Sequence, residues 1–378
     1  MKVYELARTP RIVAGEGARQ SLPSLTTGEG PALLVADPGL KATGLIEEVE
    51  RLLREAGVSV LTFSALKSDP TVAQADAAAA QAREMGARLV LALGGGSALD
   101  LAKAAAAIAP GPHSAAHYQL GENPFPAEPL CKICVPTTSG TGSETTRTAI
   151  LTRDDHAKVW LWGDEIKADV VILDPELTVT LPASLTAATG VDALVHAVEA
   201  ATNRNANRAS NLFAFEAIRL VSTSLLRAIE NPRDLKARSA MQWAAAWGGV
   251  AIDNCGTAVA HALGHAMGSL KPIHHGRAVG VAMLASLPWN IEGNDAFADC
   301  ARAMGAEPTS RGFVAAFERL MRASGLKLDV AEEFAGVEAA ALAAQAAKPE
   351  NAAMLKANRR AASDNDLLAL AESVLAMQ

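Results

Sequence analysis

Short apolar runs alternate with amphipathic stretches through the first half of the chain. Residues 31–36 (PALLVA) form one such run, stopping at Asp37-Pro38-Gly39 in the manner of a buried strand closed by a turn. Leu45 to Ala56 then carries its apolar residues at helical spacing, and Val58 to Phe63 reads as a second strand. Ala73 to Met85 is an Ala-rich helix with Gly86 where a C-terminal cap prefers glycine. Leu89 to Leu93 is a continuous apolar strand that runs into Gly94-Gly95-Gly96. Ile133 to Val135 and Val170 to Leu173 are further strands, halted by Pro136 and by Asp174-Pro175. Strand and helix alternating at this interval predict a parallel sheet with helices on both faces.

The pattern changes after Pro175. From Leu185 onward long Ala- and Leu-rich helical periods dominate, among them Ala193 to Ala201, Asn211 to Glu230, Ala240 to Ile252 and Thr257 to Met267. No internal repeat is visible, and the alanine runs read as close helix packing. The expected fold is therefore α/β followed by all-α: a parallel-sheet domain over 1–178 and a helical bundle over 179–378. A chain of 378 residues suits two domains of ordinary size.

Composition narrows the function. With 50% hydrophobic and 20% charged residues the chain has the balance of a globular protein. A net charge of −7, no basic tract and only 4% aromatics argue against a nucleic-acid or anionic-membrane partner. No apolar run approaches the roughly 20 residues of a membrane span, and the opening MKVYELARTP holds no apolar signal core. Four cysteines are too few for a disulfide scaffold and suit a reducing compartment, so a cytoplasmic location is expected.

Two segments have the form of phosphate-handling loops. The first, GGGSALDLAK at 94–103, is strand, glycine turn and helix: glycines admit a phosphate close to the backbone, and a helix N-terminus offers free N–H groups. It matches neither G-x-G-x-x-G nor a P-loop, and a tight turn with no ligand is the plain alternative. The second, PTTSGTGSE at 136–144, sets hydroxyls and glycines after a strand, suited to phosphate or ribose oxygens. Asp37, at the end of the first strand, is placed to accept from an adenosine ribose and to repel a 2′-phosphate, which favours NAD over NADP.

The helical half carries the candidate metal chemistry. Asp192 and His196 stand at i and i+4, as do His261 and His265, and His274-His275-Gly276 follows. A lone histidine is more often packed than ligating, but two such pairs and a His-His together suit a first-row divalent ion with room for substrate. Spacing alone does not select which four bind.

Taken together, GGGSALDLAK at 94–103, PTTSGTGSE at 136–144, GVDALVHAVEA at 190–200, HALGH at 261–265 and HHG at 274–276 resemble the iron-containing (group III) alcohol dehydrogenases, over nearly the whole chain. The resemblance implies an N-terminal dinucleotide-binding domain and a C-terminal helical domain, on the plan shared with dehydroquinate synthase, and an active site in the cleft between them. It implies Asp192, His196, His261 and His275 as metal ligands, with His265 a non-ligand histidine near substrate and nicotinamide. Gly95, Gly96 and Ser97 would cradle the pyrophosphate, with Gly94 and Asp100 counted among the cofactor residues of the same motif. Thr137, Thr138 and Thr141 would line the cofactor, Lys158 would reach its ribose or nicotinamide end, and Asp37 would meet the adenosine ribose. Asp69 would lie at the adenine side, where relatives often carry asparagine. The implied reaction is hydride transfer between C4 of NAD(H) and the carbinol carbon of a small alcohol, the metal lowering the alcohol's pKa or, in reverse, polarising an aldehyde. Fe2+ is the metal implied, although three histidines and a carboxylate should hold Zn2+ at least as tightly.

Other features bear on substrate and class. Lys271 and His274, near His275, would bias the site toward an anionic substrate, against the plainer reading of a surface lysine and a supporting histidine. Trp160 and Trp162 suggest burial or oligomer packing, and Cys131-x-x-Cys134, without a second pair, reads as packing. The alternatives are an NAD-using lyase or cyclase of the dehydroquinate-synthase type, a maleylacetate-reductase-like reductase and a non-catalytic metal-stabilised protein. The first lacks here the expected basic cluster for a phosphate-bearing substrate, and the second does not call for the metal ligands present. Relatives are often dimers or larger, so a homo-oligomer is the expectation.

Overall fold

Parallel strands β1 (Arg11–Ala14), β2 (Ala32–Ala36), β3 (Val60–Phe63), β4 (Leu89–Gly94), β5 (Cys131–Pro136) and β8 (Val170–Leu173) form one sheet in the order β1-β8-β5-β4-β2-β3. Between β5 and β8 lies an antiparallel hairpin of β6 (Thr148–Thr152) and β7 (Lys158–Trp162). This is a computed structural model, which describes residues 3–377.

Every residue of β2 and β4 is buried, the expected state of central parallel strands covered on both faces. The helices between them are α1 (Leu22–Thr26), α2 (Leu45–Glu55), α3 (Val72–Glu84) and α4 (Gly96–Ile108). Helix α2 buries Leu45, Ile46, Val49, Leu52 and Leu53 into a core shared with Leu34, Leu91 and Ile133. A capping box of Thr71 and Gln74 starts α3, and Gly86, at φ 65°, follows its C-terminus. The chain leaves β2 for β3 in one direction and leaves β4 for β5 and β8 in the other. The sheet's switch point therefore lies between β2 and β4, whose carboxyl ends carry Asp37 and Gly94.

Strand β1 and the β6–β7 hairpin are absent from the sequence reading. The hairpin alternates: Ala149, Leu151, Val159 and Leu161 are buried, while Trp160 is half-buried and Trp162 exposed. Of the two readings offered for Trp162, burial within the chain is not found; its ring lies 4.8 Å from the Arg147 guanidinium carbon. Cys131 and Cys134 are free thiols on β5, pushed by burial up to about 11 and about 12, in keeping with packing.

The second unit is helical: α5 (Ala183–Thr202), α6 (Arg208–Glu230), α7 (Leu235–Cys255), α8 (Val259–Leu270), α9 (His275–Asn290), α10 (Ala296–Ala303), α11 (Ser310–Ala323), α12 (Ala339–Ala346), α13 (Ala352–Ala357) and α14 (Asp364–Leu375). Helix α5 is buried on every face from Thr186 to Thr202, which is why its sequence shows little amphipathic pattern. Small residues bring the other helices close. A Cβ on Gly190 would lie 2.4 Å from Leu225 on α6, and one on Gly264 2.6 Å from Val279 on α9. Among the described residues, no helix is long and apolar enough to cross a membrane.

The α/β and all-α character expected from the sequence is thus observed. The division between units is not one cut, however. Arg8–Thr138 and Ser143–Thr178 make the sheet unit, while Ser139–Gly142 and residues 3–7 group with the helices of residues 179–377. A Cβ on Gly140 would sit 2.7 Å from Thr189 on α5, and one on Gly142 2.6 Å from the Ala245 carbonyl on α7, so glycine at both positions lays this short segment against the helices.

Candidate metal and dinucleotide sites

Helix α5 carries Asp192 and His196 one turn apart, α8 carries His261, and His275 opens α9. One ligand atom from each lies within 4.8 Å of the others. Asp192 Oδ1 stands 3.9 Å from His196 Nε2, 3.8 Å from His261 Nε2 and 3.6 Å from His275 Nε2. These separations are too long for hydrogen bonds. Asp192 Oδ1 and His261 Nε2 are both buried without a hydrogen-bond partner. Buried polar atoms left in this state are destabilising, whereas a divalent ion takes such oxygen and nitrogen donors at about 2.0–2.2 Å. The four residues therefore fit a first-row divalent ion.

Backbone packing explains the convergence. A Cβ on Gly276 would lie 2.1 Å from the Ala188 carbonyl oxygen and 3.2 Å from Asp192 Cβ, so only glycine after His275 lets α9 start against α5. The His196 ring stacks on that of His261 at 4.5 Å. Burial, reinforced by His196, lowers the His261 pKa to about 3, so its imidazole is neutral at neutral pH, as a ligand must be.

His265 lies one turn beyond His261, half-buried, its ring 5.3 Å from that of His275 and 6.2 Å from that of His261. It borders the four converging residues without joining them. Neither Lys271, which closes α8, nor His274, exposed at the cap of α9, belongs to the converging set.

One residue of the site escaped the sequence reading, although it lies in the 190–200 motif. Glu199, buried on α5, accepts from the backbone N–H groups of Ala258 and Ala260, each at 2.7 Å, and meets His261 Nδ1 at 2.6 Å. Burial pushes its carboxyl up, to about 7, against the N–H donors that pull it back. The i, i+4, i+7 spacing of Asp192, His196 and Glu199 is the signal that was available.

The dinucleotide candidates gather at the carboxyl edge of the sheet. The Asp37 N–H donates to the Leu93 carbonyl, and its carboxylate accepts from Gly39 N–H at 2.8 Å. Gly94 has φ 150°, and a Cβ there would lie 2.9 Å from Asp37 Cβ and 2.8 Å from Ala98. Gly95 caps α4, with Thr138 3.3 Å from where its Cβ would stand, and Thr137 N–H donates to the Gly94 carbonyl. Gly96 and Ser97 form the open first turn of the helix. Such a bare, glycine-lined helix start fits a pyrophosphate. Asp69 and Lys158 form an ion pair, and the Asp69 N–H donates to Ser97 Oγ at 3.3 Å.

Two candidates are placed differently from the rest. Thr141 groups with the helical unit while Thr137 and Thr138 remain with the sheet. The Asp100 carboxylate accepts from Ser143 Oγ at 2.5 Å and from Ile150 N–H at 3.0 Å. Lys103, fully buried, donates from Nζ to the carbonyls of Ser143 and Thr148, both at 2.6 Å, and of Thr146 at 3.2 Å. Asp100 and Lys103 thus tie α4 to the segment leading into the hairpin.

The glycine-lined start of α4 thus lies at the switch point of the sheet, and the cluster of three histidines and an aspartate lies in the helical unit. The model of the family described as iron-containing alcohol dehydrogenase matches residues 9–175, and that of the C-terminal part of the Fe-containing alcohol dehydrogenase family matches 186–375. The chain belongs to the iron-containing alcohol dehydrogenase family, a family of oxidoreductases. It is 40% identical over 287 residues to long-chain-alcohol dehydrogenase 1 of Geobacillus thermodenitrificans, covering 75% of this chain and 72% of that protein. It is 35% identical over 314 residues to the NAD-dependent methanol dehydrogenase of Bacillus methanolicus, covering 82% of each. The solved structure of a 1,3-propanediol oxidoreductase superposes with a TM-score of 0.91 at 30% identity, over 99% of this chain and 100% of that one.

Proposed function

We propose that the protein is a divalent-metal-dependent, NAD(H)-linked alcohol dehydrogenase or aldehyde reductase acting on a small primary alcohol or its aldehyde. The observation that carries this reading is the convergence of Asp192, His196, His261 and His275, with Asp192 Oδ1 and His261 Nε2 buried and without a hydrogen-bond partner. When bound there, the ion supplies a Lewis acid that eases loss of the alcohol proton or polarises a carbonyl. Fe2+ is the ion the family's name points to, and the donor set suits Zn2+ equally.

The remaining work falls to this chain's own side chains. Gly94 and Gly95 keep the start of α4 bare, so the N–H groups of Gly96 and Ser97 bind the pyrophosphate. Asp37 accepts from the adenosine ribose and disfavours a 2′-phosphate, in line with the NAD dependence named for the Bacillus methanolicus relative. Thr137, Thr138 and Thr141 offer hydroxyls along the dinucleotide, and Lys158 is steadied by Asp69 to meet a ribose hydroxyl. His265 holds on a ring nitrogen the proton that the substrate hydroxyl gives up, and its half-exposed position allows exchange with solvent. The relatives' names span methanol, 1,3-propanediol and long-chain alcohols, which supports a primary alcohol and leaves chain length to the assay.

The test is NADH consumption by protein reconstituted anaerobically with Fe2+, beside a metal-free control, across neutral and anionic aldehydes. Turnover that requires the ion is expected. Absence of turnover with every member, while ion and NAD are both bound, would overturn the dehydrogenase reading.

A further inference from the structure

Helix α8 begins without a cap of its own. Its N-cap is Ala258, which has no side-chain acceptor, although the first N–H groups of a helix need one. Glu199 supplies it from α5, taking the N–H groups of both Ala258 and Ala260. The same carboxylate meets His261 Nδ1 at 2.6 Å. Both Glu199 oxygens already take backbone N–H donors, so the carboxylate accepts from His261 as well: Nδ1 carries the hydrogen, and the Nε2 lone pair is left facing Asp192 Oδ1. His196 has no comparable anchor: its Nδ1 is buried without a partner, and its ring lies stacked against that of His261. Holding one imidazole therefore braces a second.

We propose that Glu199 is a positioning residue of the metal centre, which fixes the tautomer and orientation of His261 through its contact with Nδ1, separately from its capping of α8. This rests on the reading of Asp192, His196, His261 and His275 as metal ligands. Partners behind a ligand histidine typically change metal affinity by about 10- to 100-fold, because a mis-set ring must be turned before it can bind.

Co2+ serves as the probe, titrated into metal-free wild type, E199A, E199Q and the double variant E199A/A258S under chelator competition. Affinity and the visible d–d spectrum are both read, and thermal unfolding of the metal-free forms is followed alongside. E199A is expected to bind about 10- to 100-fold more weakly with an altered spectrum. E199Q, of equal size, keeps one acceptor oxygen and should fold if E199A does not; its affinity should fall in the same direction. Serine at 258 returns an acceptor to the helix start, so the double variant should recover thermal stability while its Co2+ affinity stays low. Wild-type affinity in E199A or E199Q, or affinity restored together with stability by A258S, would overturn the proposal and leave Glu199 a helix cap only. If wild type itself binds no Co2+, Zn2+ or Fe2+, the reading of the four ligands fails and the proposal with it.

Discussion

The Asp37 carboxylate accepts from Gly39 N–H at the end of β2, beside the bare backbone of Gly94. Serine would keep that turn, because its hydroxyl also accepts from a backbone N–H, while removing the negative charge. Asp37→Ser is therefore expected to preserve folding and to raise kcat/KM for NADPH relative to NADH by at least ~10-fold, worth about 1.4 kcal/mol. Steady-state kinetics with both nucleotides test this, and an unchanged ratio would remove Asp37 from cofactor selection. His265 calls for a different readout, since it borders the converging ligands without being one of them. In His265→Ala, kcat should fall by about 10²- to 10⁴-fold, the usual range for a proton-transfer group, with ion content unchanged. Loss of the ion from that variant would instead make His265 a ligand.

At the scale of elements, Asp100 and Lys103 join α4 to the chain that becomes β6, through hydrogen bonds to residues 143–150. Asp100→Ala would leave the Lys103 ammonium buried without its nearest carboxylate, 3.8 Å away. Faster hydrogen exchange across 146–162 and a higher KM for NAD are expected, with kcat at saturating NAD little altered. If exchange stays slow while NAD binding is lost, Asp100 is a cofactor contact and not a tie. Such a role is hard to see in sequence. The strands β2, β4 and β8, and residues 133–135 of β5, were legible because burial makes them unbroken apolar runs, and the cap glycine of α3 because its backbone geometry has few substitutes. Strand β1 and the hairpin were not: β1 has only Ile12 to Ala14 as its apolar stretch, and β6 and β7 mix threonine, lysine and tryptophan with their apolar positions. The ligand candidates were legible as residue types on helix faces. Glu199 shares that face of α5 with Asp192 and His196, but its role as acceptor is set by the start of α8, which no feature of α5 reveals. Thr141 was read with its neighbours, whereas the glycines on either side of it turn that segment onto the helical unit.

Across the whole molecule, stability should register a buried charge imbalance in the sheet unit, where Lys103 serves both Asp100 and Glu144. Asp100 keeps two further donors, Ser143 Oγ and Ile150 N–H. Glu144, 2% exposed, is helped only by its own backbone N–H and by Lys103 at a distance, and burial pushes its carboxyl from 4.5 up to about 7. Between those two values the folded chain holds a proton that the unfolded chain has released. The contribution of Glu144 is therefore complete below pH 4.5 and is lost as pH rises through about 7. From pH 5 to pH 8 this amounts to about 2–3 kcal/mol. Glu144→Gln carries no such proton and should escape the loss. Urea unfolding of metal-free wild type and E144Q at pH 5 and pH 8 isolates the effect, because His261, Glu199 and every other titrating group are common to both proteins. Wild type should lose about 2–3 kcal/mol more than E144Q over that interval. Parallel profiles would mean that Glu144 is ionised in the folded protein throughout, its charge met by Lys103 after all.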